Sequence, residues 1–225
     1  MLRVLFVCTG NTCRSPMAEA LLAKMAREEG LDVKARSAGV AASDGSGASA
    51  HAVRVLRERG IELTHRSRSL TREEVRRADL ILTMTTRHKA LIMHDFPESG
   101  DKVFTLKEFA LLDTGVEELY RRLDRLYVEL EEKRAELQRR FSIPAGGRWT
   151  KEAEEAWNRE SKVLLEEERD LLKRIGRLDG SLDVADPFGG SVEEYRRCAD
   201  ELETAIRRIL DRLKRERNPD GPRER

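Results

Sequence analysis

The sequence predicts an α/β protein: a parallel sheet covered by helices, with an antiparallel helical hairpin inserted late in the chain. Three observations predict it. Short apolar, β-branched runs alternate with helical stretches from residue 2 to about residue 110, and such alternation builds a parallel sheet. Near Leu111 the pattern changes to long stretches of Glu, Arg and Lys crossed by single apolar stripes. A break at Ile143-Pro144-Ala145-Gly146-Gly147 cuts those stretches into two arms of similar length.

The elements follow in order. Leu2–Val7 (LRVLFV) is short, apolar and β-branched, as a buried central strand is. Pro16 stands where a first helical residue would, Met17, Leu21, Leu22 and Met25 recur at helical spacing, and Gly30 is a C-terminal stop. Val33–Arg36 reads as a second strand ending at Ser37-Ala38-Gly39. Ser49 is placed to cap a helix with Ala52, Val53 and Leu56 on its apolar face and Gly60 after it. Thr71 and Glu74 have the spacing of a capping box. Ala78–Met84 (ADLILTM) is a third strand, followed by a helix over Arg87–His94, and Lys102–Leu106 (KVFTL) is a fourth strand.

In the first arm Leu119, Leu123, Leu126, Leu130, Leu137 and Phe141 form the stripe, within a stretch from about Val116 to Phe141. In the second it is Trp157, Leu164, Leu171, Ile175 and Leu178. Lys133, Ser161 and Glu168 interrupt this coiled-coil-like seam. After Gly180 comes Asp186-Pro187-Phe188-Gly189-Gly190, then a last helix over Ser191–Lys214 with Leu202, Ile206, Ile209 and Leu213 inward. The expected division is residues 1–110 with 181–215 as one domain, 111–180 as the hairpin, and 216–225 as a polar tail.

Composition narrows the function. Lys plus Arg number 43 and Asp plus Glu 42, so the basic excess of a nucleic-acid-binding or membrane-surface protein is missing. No run approaches a membrane span, and Met1–Val7 is too short for a signal peptide. The three cysteines, Cys8, Cys13 and Cys198, do not make a secreted disulfide framework. A cytoplasmic location with reduced thiols is the expectation.

The chemistry is expected in Cys8-Thr9-Gly10-Asn11-Thr12-Cys13-Arg14-Ser15, between a strand and a helix. A loop at a helix N-terminus aims backbone N–H groups at one point and makes an anion nest. Gly10 permits the backbone angles such a loop needs. A thiol at its start lies in a field that favours thiolate. Arg14 can grip two phosphate oxygens with one planar fork. Nucleophile, cradle and clamp then meet on one phosphorus, which suits phosphoryl displacement. The leaving group needs a proton, and Asp186 is the candidate donor. Pro187 stiffens its loop, and Phe188 is expected to shield it from water. A Cys and an Arg six positions apart is a weak signal alone; Cys8 could as well be a small buried hydrophobe at a strand end. The strand before, the helix after and the late Asp-Pro raise its weight.

VCTGNTCRSPMAE (Val7–Glu19), Ser37-Ala38-Gly39, His65-Arg66-Ser67-Arg68 and Asp186-Pro187 together resemble the signature of the low-molecular-weight protein tyrosine phosphatases. The resemblance covers about residues 1–110 and 181–215. It implies a four-stranded parallel sheet in a three-layer α/β/α fold and a two-step reaction without metal or cofactor. Cys8 takes the phosphoryl group while Asp186 protonates the leaving group; water then hydrolyses the phosphocysteine with Asp186 as base. It implies that Thr9, Gly10, Asn11, Thr12, Cys13 and Ser15 hold the phosphate. Asn11, Ser15 and His65 would support the loop, and Phe188 would flank the substrate.

Within the family the chain looks most similar to the bacterial protein-arginine phosphatases. Thr12 stands where tyrosine phosphatases usually carry an aliphatic residue such as Ile, and a threonine there goes with phosphoarginine. Phe188-Gly189-Gly190 agrees, since tyrosine phosphatases often place two aromatics after Asp-Pro. Met84-Thr85 and Lys102–Glu108 (KVFTLKE) also resemble this branch. A tyrosine phosphatase is the alternative. An arsenate reductase would need further cysteines in a mobile segment, and only Cys198 is left for that. A phosphate-binding adaptor without activity would have lost Cys8, Arg14 or Asp186. Cys13 is a possible redox partner for Cys8, through a reversible disulfide. The expected partner is a phosphorylated protein, and the 111–180 hairpin is a candidate for binding a second protein or a second copy.

Overall fold

The computed structural model describes residues 1–112, 117–144, 147–179 and 181–217. Val116, Ala145, Gly146, Gly180, the Leu178 side chain and the tail from Asn218 lie outside what it describes. The chain divides into two compact units. The first comprises Met1–Lys89, Glu98–Leu111 and Leu182–Arg225; the second comprises Ala90–Pro97 and Leu112–Ser181.

The first unit holds the sheet. β1 (Leu2–Cys8) leads into α1 (Arg14–Glu28), β2 (Val33–Gly39), α2 (Ala50–Glu58) and α3 (Arg72–Arg77). β3 (Leu80–Thr83) leads into α4 (Thr86–Asp95), a 3-10 turn (Pro97–Lys102), β4 (Val103–Thr105) and α5 (Leu106–Leu111). The strands pair in parallel in the order β2-β1-β3-β4. Val4–Cys8 and all of β3 are buried residue by residue, so helices cover both faces. The chain leaves β1 for β2 on one side and reaches β3 and β4 on the other. The strand order therefore reverses between β1 and β3, and the crevice beyond their C-terminal ends is where such sheets bind ligands.

Several local expectations hold for visible reasons. Gly30 and Gly60 end their helices at φ 66° and 71°, the left-handed region that costs glycine least. Thr71 and Glu74 form both bonds of the capping box. α1 starts at Arg14, two residues before Pro16, so the proline sits inside the first turn, where a missing N–H loses no intrahelical bond. Ser49 occupies the N-cap of α2, but its side chain makes no capping bond. β3 starts at Leu80, because Ala78 N–H still donates to Glu74 O and closes α3.

The second unit is helical. α6 (Glu117–Arg140) buries Leu123, Leu126, Leu130 and Leu137. The second arm is two helices, α7 (Lys151–Glu160) and α8 (Lys162–Asp179), interrupted at Ser161. Ser161 is fully buried and its Oγ donates to Trp157 O at 2.6 Å, a back-bond that competes with helix propagation. Leu171 and Ile175 of α8 are buried as the stripe predicts, while Trp157 and Leu164 are only half-buried. Arg122–Glu167 and Arg140–Glu160 ion pairs align the arms antiparallel, and Lys133 pairs with Glu136 on its own helix and, at 3.9 Å, with Glu160 of the other arm. The last helix, α9 (Val192–Arg217), belongs to the first unit and packs on α1, α2 and α5 through residues such as Leu202, Ile206 and Ile209. No helix among the described residues is long and apolar enough to cross a membrane.

Candidate active site

The Cys8–Ser15 loop lies at the strand-order reversal, between the end of β1 and the start of α1. Its carbonyls are turned outward and bonded there. Cys8 O accepts from Val40 N–H, Thr9 O from Ala41 N–H, and Thr12 O from Ser49 N–H, at 2.8–3.0 Å. Asn11 O meets His65 Nε2 at 2.7 Å. A planar trans peptide points its N–H opposite to its C=O. The amides of Thr9, Gly10, Thr12 and Cys13 therefore face the other way, into the loop. The loop thus has the backbone form of an anion nest, with these four carbonyls satisfied elsewhere. Gly39 makes the close approach possible: a Cβ there would stand 2.4 Å from Thr9 O.

Asn11 is the keystone. It is fully buried at φ 53°, a left-handed conformation that Asn tolerates better than most residues. Its Oδ1 accepts from Arg68 N–H at 2.9 Å, which assigns Nδ2 to the opposite side. Nδ2 donates to Ser15 Oγ at 3.0 Å and to Ser37 Oγ at 2.9 Å, and the Ser37 hydroxyl donates a hydrogen bond to Glu19 Oε2 at 2.5 Å. Ser15 Oγ lies 2.9 Å from Cys8 Sγ and is the donor in that bond when the sulfur is a thiolate. Asn11 N–H also donates to Cys8 Sγ, at 3.3 Å. A thiolate accepts both bonds more strongly than a thiol. The structure thus joins Cys8, Asn11, Ser15 and His65, and adds Ser37 and Glu19. The Ser-Ala-Gly motif was the available signal for Ser37; nothing in the local pattern singles out Glu19 from a solvated helix face.

Arg14 is buried. Its Nη1 donates to Val184 O at 3.2 Å and its Nη2 pairs with Asp186 Oδ2 at 2.5 Å. The Asp186 segment is moored near the end of β3: Val184 N–H donates to Met84 O, and Asp183 Oδ1 accepts from Thr86 N–H. Asp186 thus reaches the loop across 172 residues of sequence. The expected shielding is not there. Phe188 is 76% exposed and the Asp186 side chain 49% exposed. Phe188 instead gives its backbone N–H to Asp186 Oδ1 at 3.2 Å, an Asx turn that orients the carboxylate.

Thr12 is half-buried at the loop, its Oγ1 3.6 Å from Cys13 Sγ. Cys13 Sγ lies 3.0 Å from the hydroxyl of Tyr195, and Cys8, Cys13 and Cys198 are all free thiols. Burial and the Cys13 bond push the Tyr195 phenol up to about 12. Burial likewise pushes the Cys198 thiol up to about 12, which suits an inert packing residue. A contact that sequence reading missed is Thr9 Oγ1 with the buried His88 Nε2, at 2.9 Å.

Comparison with known proteins bears on this site directly. Residues 3–139 and 153–219 match the family described as low molecular weight phosphotyrosine protein phosphatase. A protein-arginine-phosphatase of Geobacillus stearothermophilus is 38% identical, over 95% of this chain and 97% of its own length. That of Bacillus subtilis (strain 168) is 36% identical, over 95% and 98%. A solved YwlE arginine phosphatase, a cysteine-to-serine mutant with a phosphorylated active-site serine, is 36% identical with a TM-score of 0.64, covering 96% of this chain and 98% of that one. The matched residues include the Cys8 loop near one end and Asp186 near the other, and on that kinship the chain belongs to the low molecular weight phosphotyrosine protein phosphatase family.

Proposed function

We propose that this chain hydrolyses phosphoarginine on proteins through a phosphocysteine intermediate. The observation that carries the reading is the meeting of Cys8, Arg14 and Asp186 at one loop with four of its carbonyls bonded outside it. Cys8 Sγ attacks phosphorus and the P–N bond breaks as Asp186 protonates the departing guanidine. Water then attacks the phosphocysteine, Asp186 takes its proton, and the S–P bond opens to release phosphate and restore Cys8. Arg14 has donors to spare: with one N–H of each Nη engaged, Nε–H and the second hydrogens remain for phosphoryl oxygens. The Asp186 carboxylate left by that transfer would pair with the guanidinium product before it takes the proton of the attacking water.

Thr12 supports phosphoarginine over phosphotyrosine. A polar β-branched side chain narrows the pocket against a flat ring and offers a hydroxyl to a guanidinium. The turn after Asp186 agrees. Gly190 N–H donates to Pro187 O at 2.9 Å with Gly189 at φ 76°, where a second aromatic would be strained. Both near-full-length relatives named above are called protein-arginine-phosphatases. The test is phosphate release from a phosphoarginine protein and a phosphotyrosine peptide, with wild type and Thr12→Ile. Wild type should prefer phosphoarginine, and Thr12→Ile should cut that preference about tenfold or more. A wild-type preference for phosphotyrosine would leave family and mechanism standing and overturn the substrate.

A cytoplasmic setting is proposed with this activity, because a reducing compartment keeps Cys8 as a thiol. The 111–180 hairpin is proposed as a surface for a partner protein or a second copy. Its Trp149–Trp157 edge contact, with Arg134 over Trp149, supports that use, because interfaces favour Trp and Arg. Replacing residues 116–178 by a short linker should spare turnover of a small phosphorylated substrate and lower turnover of a protein substrate or the mass in solution. No change in either would leave the hairpin without this role.

A further inference from the structure

The Asn11 network holds the second half of the phosphate loop. The first half, Thr9 and Gly10, is held differently. Thr9 O is fixed by Ala41 N–H, and Gly39 passes so close that Thr9 cannot move towards it. The Thr9 side chain, exposed in itself, bonds to a ring 79 residues away: Oγ1 meets His88 Nε2 at 2.9 Å. His88 lies in the first turn of α4 and is 5% exposed. Its other nitrogen, Nδ1, meets Thr85 Oγ1 at 2.8 Å, and its backbone N–H donates to that same oxygen at 3.2 Å. Thr85 is itself tied to the end of β3, since Thr83 Oγ1 donates to Thr85 O at 2.9 Å.

From this arrangement we infer that His88 is a positioning residue of the phosphatase reaction, acting through the Thr9 hydroxyl to fix the two amides that follow the nucleophile. The inference rests on the phosphatase reading above but not on which phosphorylated residue is the substrate. A neutral imidazole has one donor and one acceptor, and two threonine hydroxyls satisfy both. Neither nitrogen meets a carboxylate that would reward a charge. Arg14, Arg87 and Asp186 are the charged groups whose fields reach the ring. Burial, then Arg14 and Arg87, hold its pKa down at about 4, with Asp186 opposing weakly. The ring is therefore a neutral strut at ordinary pH. A turn of Thr9 about its backbone would swing its own N–H and that of Gly10 out of the nest, and these amides sit beside the sulfur that attacks. The loss should fall on phosphoryl transfer from any substrate. Thr12, by contrast, should alter the choice between substrates.

The test is a double-mutant cycle between His88→Phe, which removes both ring bonds, and Thr9→Val, which keeps the shape of Thr9 and removes its hydroxyl. Each single variant should lower kcat/KM about 10- to 30-fold, equally for phosphoarginine and phosphotyrosine substrates. The double variant should be no worse than the poorer single one, because both remove the same contact. His88→Gln, whose neutral amide reaches the Nε2 position, should recover most of the loss. The same cycle is read in affinity for inorganic phosphate, so it decides the inference even if turnover is absent for a reason that lies elsewhere. Losses that multiply in the double variant, in turnover or in phosphate affinity, would overturn it. So would losses of His88→Phe that vanish once activity is expressed per folded molecule from its melting curve.

Discussion

Cys8→Ser should lose turnover by about 10⁴-fold or more while the protein stays folded. The two side chains differ by one atom, and that atom is buried with two donors already in place, Ser15 Oγ and Asn11 N–H. Donors suit a sulfur that has given up its proton. A hydroxyl in the same position keeps its proton, and reaching an alkoxide requires a base. A serine alkoxide is also a poorer leaving group than a cysteine thiolate, so any phosphoserine that forms should open slowly. The amides of the nest and the Arg14 fork are untouched by the change, so inorganic phosphate should still bind. Kinetics on a phosphoarginine protein, paired with phosphate titration by calorimetry, separates these effects. Turnover within about tenfold of wild type would remove Cys8 from the role of nucleophile. Loss of phosphate binding together with turnover would show that the serine deforms the loop and does not merely fail to attack.

The elements that were legible in the sequence are those that a local pattern encodes. From Val4 to Cys8 β1 is an unbroken apolar run because both its faces are covered there, and Gly30, Gly60 and the Thr71–Glu74 box mark helix ends through backbone chemistry confined to a few residues. The Cys8–Ser15 loop was legible because its residue types are ordered along the chain. What was not legible depends on partners far away in sequence. Ser49 looks like a cap, yet its side chain makes no capping bond. Phe188 looks like a shield, yet the turn closed by Gly190 leaves its ring in solvent. Ser161 was visible as a flaw in the seam, but periodicity does not tell a tolerated polar residue from a helix break. His88 reads as an ordinary polar residue near a helix start, and Thr85 stands out only as part of the branch resemblance; the parallel pairing of β1 with β3 brings them to Thr9.

Lys89→Met should destabilise the protein by about 3–5 kcal/mol, a large share of the roughly 5–15 kcal/mol that holds a typical domain folded. In sequence Lys89 is an unremarkable helix lysine. In the structure it is 1% exposed, and its Nζ donates to both carboxylate oxygens of Glu108 at 2.8 Å, with Glu108 3% exposed. Glu108 also closes a cap at the start of α5: Oε2 accepts from Thr105 N–H at 2.9 Å, while Thr105 Oγ1 accepts from Glu108 N–H at 3.1 Å. The ammonium lies 5.5 Å from the centre of the Phe104 ring, which adds a weaker attraction. Taking two charges out of water costs several kcal/mol for each, and their attraction roughly offsets that cost. Removing one partner keeps the cost and loses the attraction, so Lys89→Met leaves the Glu108 carboxylate buried without the charge it faces. Glu108→Gln should do comparable harm from the other side, although its amide oxygen can still accept from Thr105. The double variant Lys89→Met/Glu108→Gln removes both charges and keeps the cap, and it should recover most of the loss. Urea unfolding of the three variants decides it. Single variants within about 1 kcal/mol of wild type, or a double variant whose loss is the sum of the two, would mean that the pair is not coupled as its geometry requires.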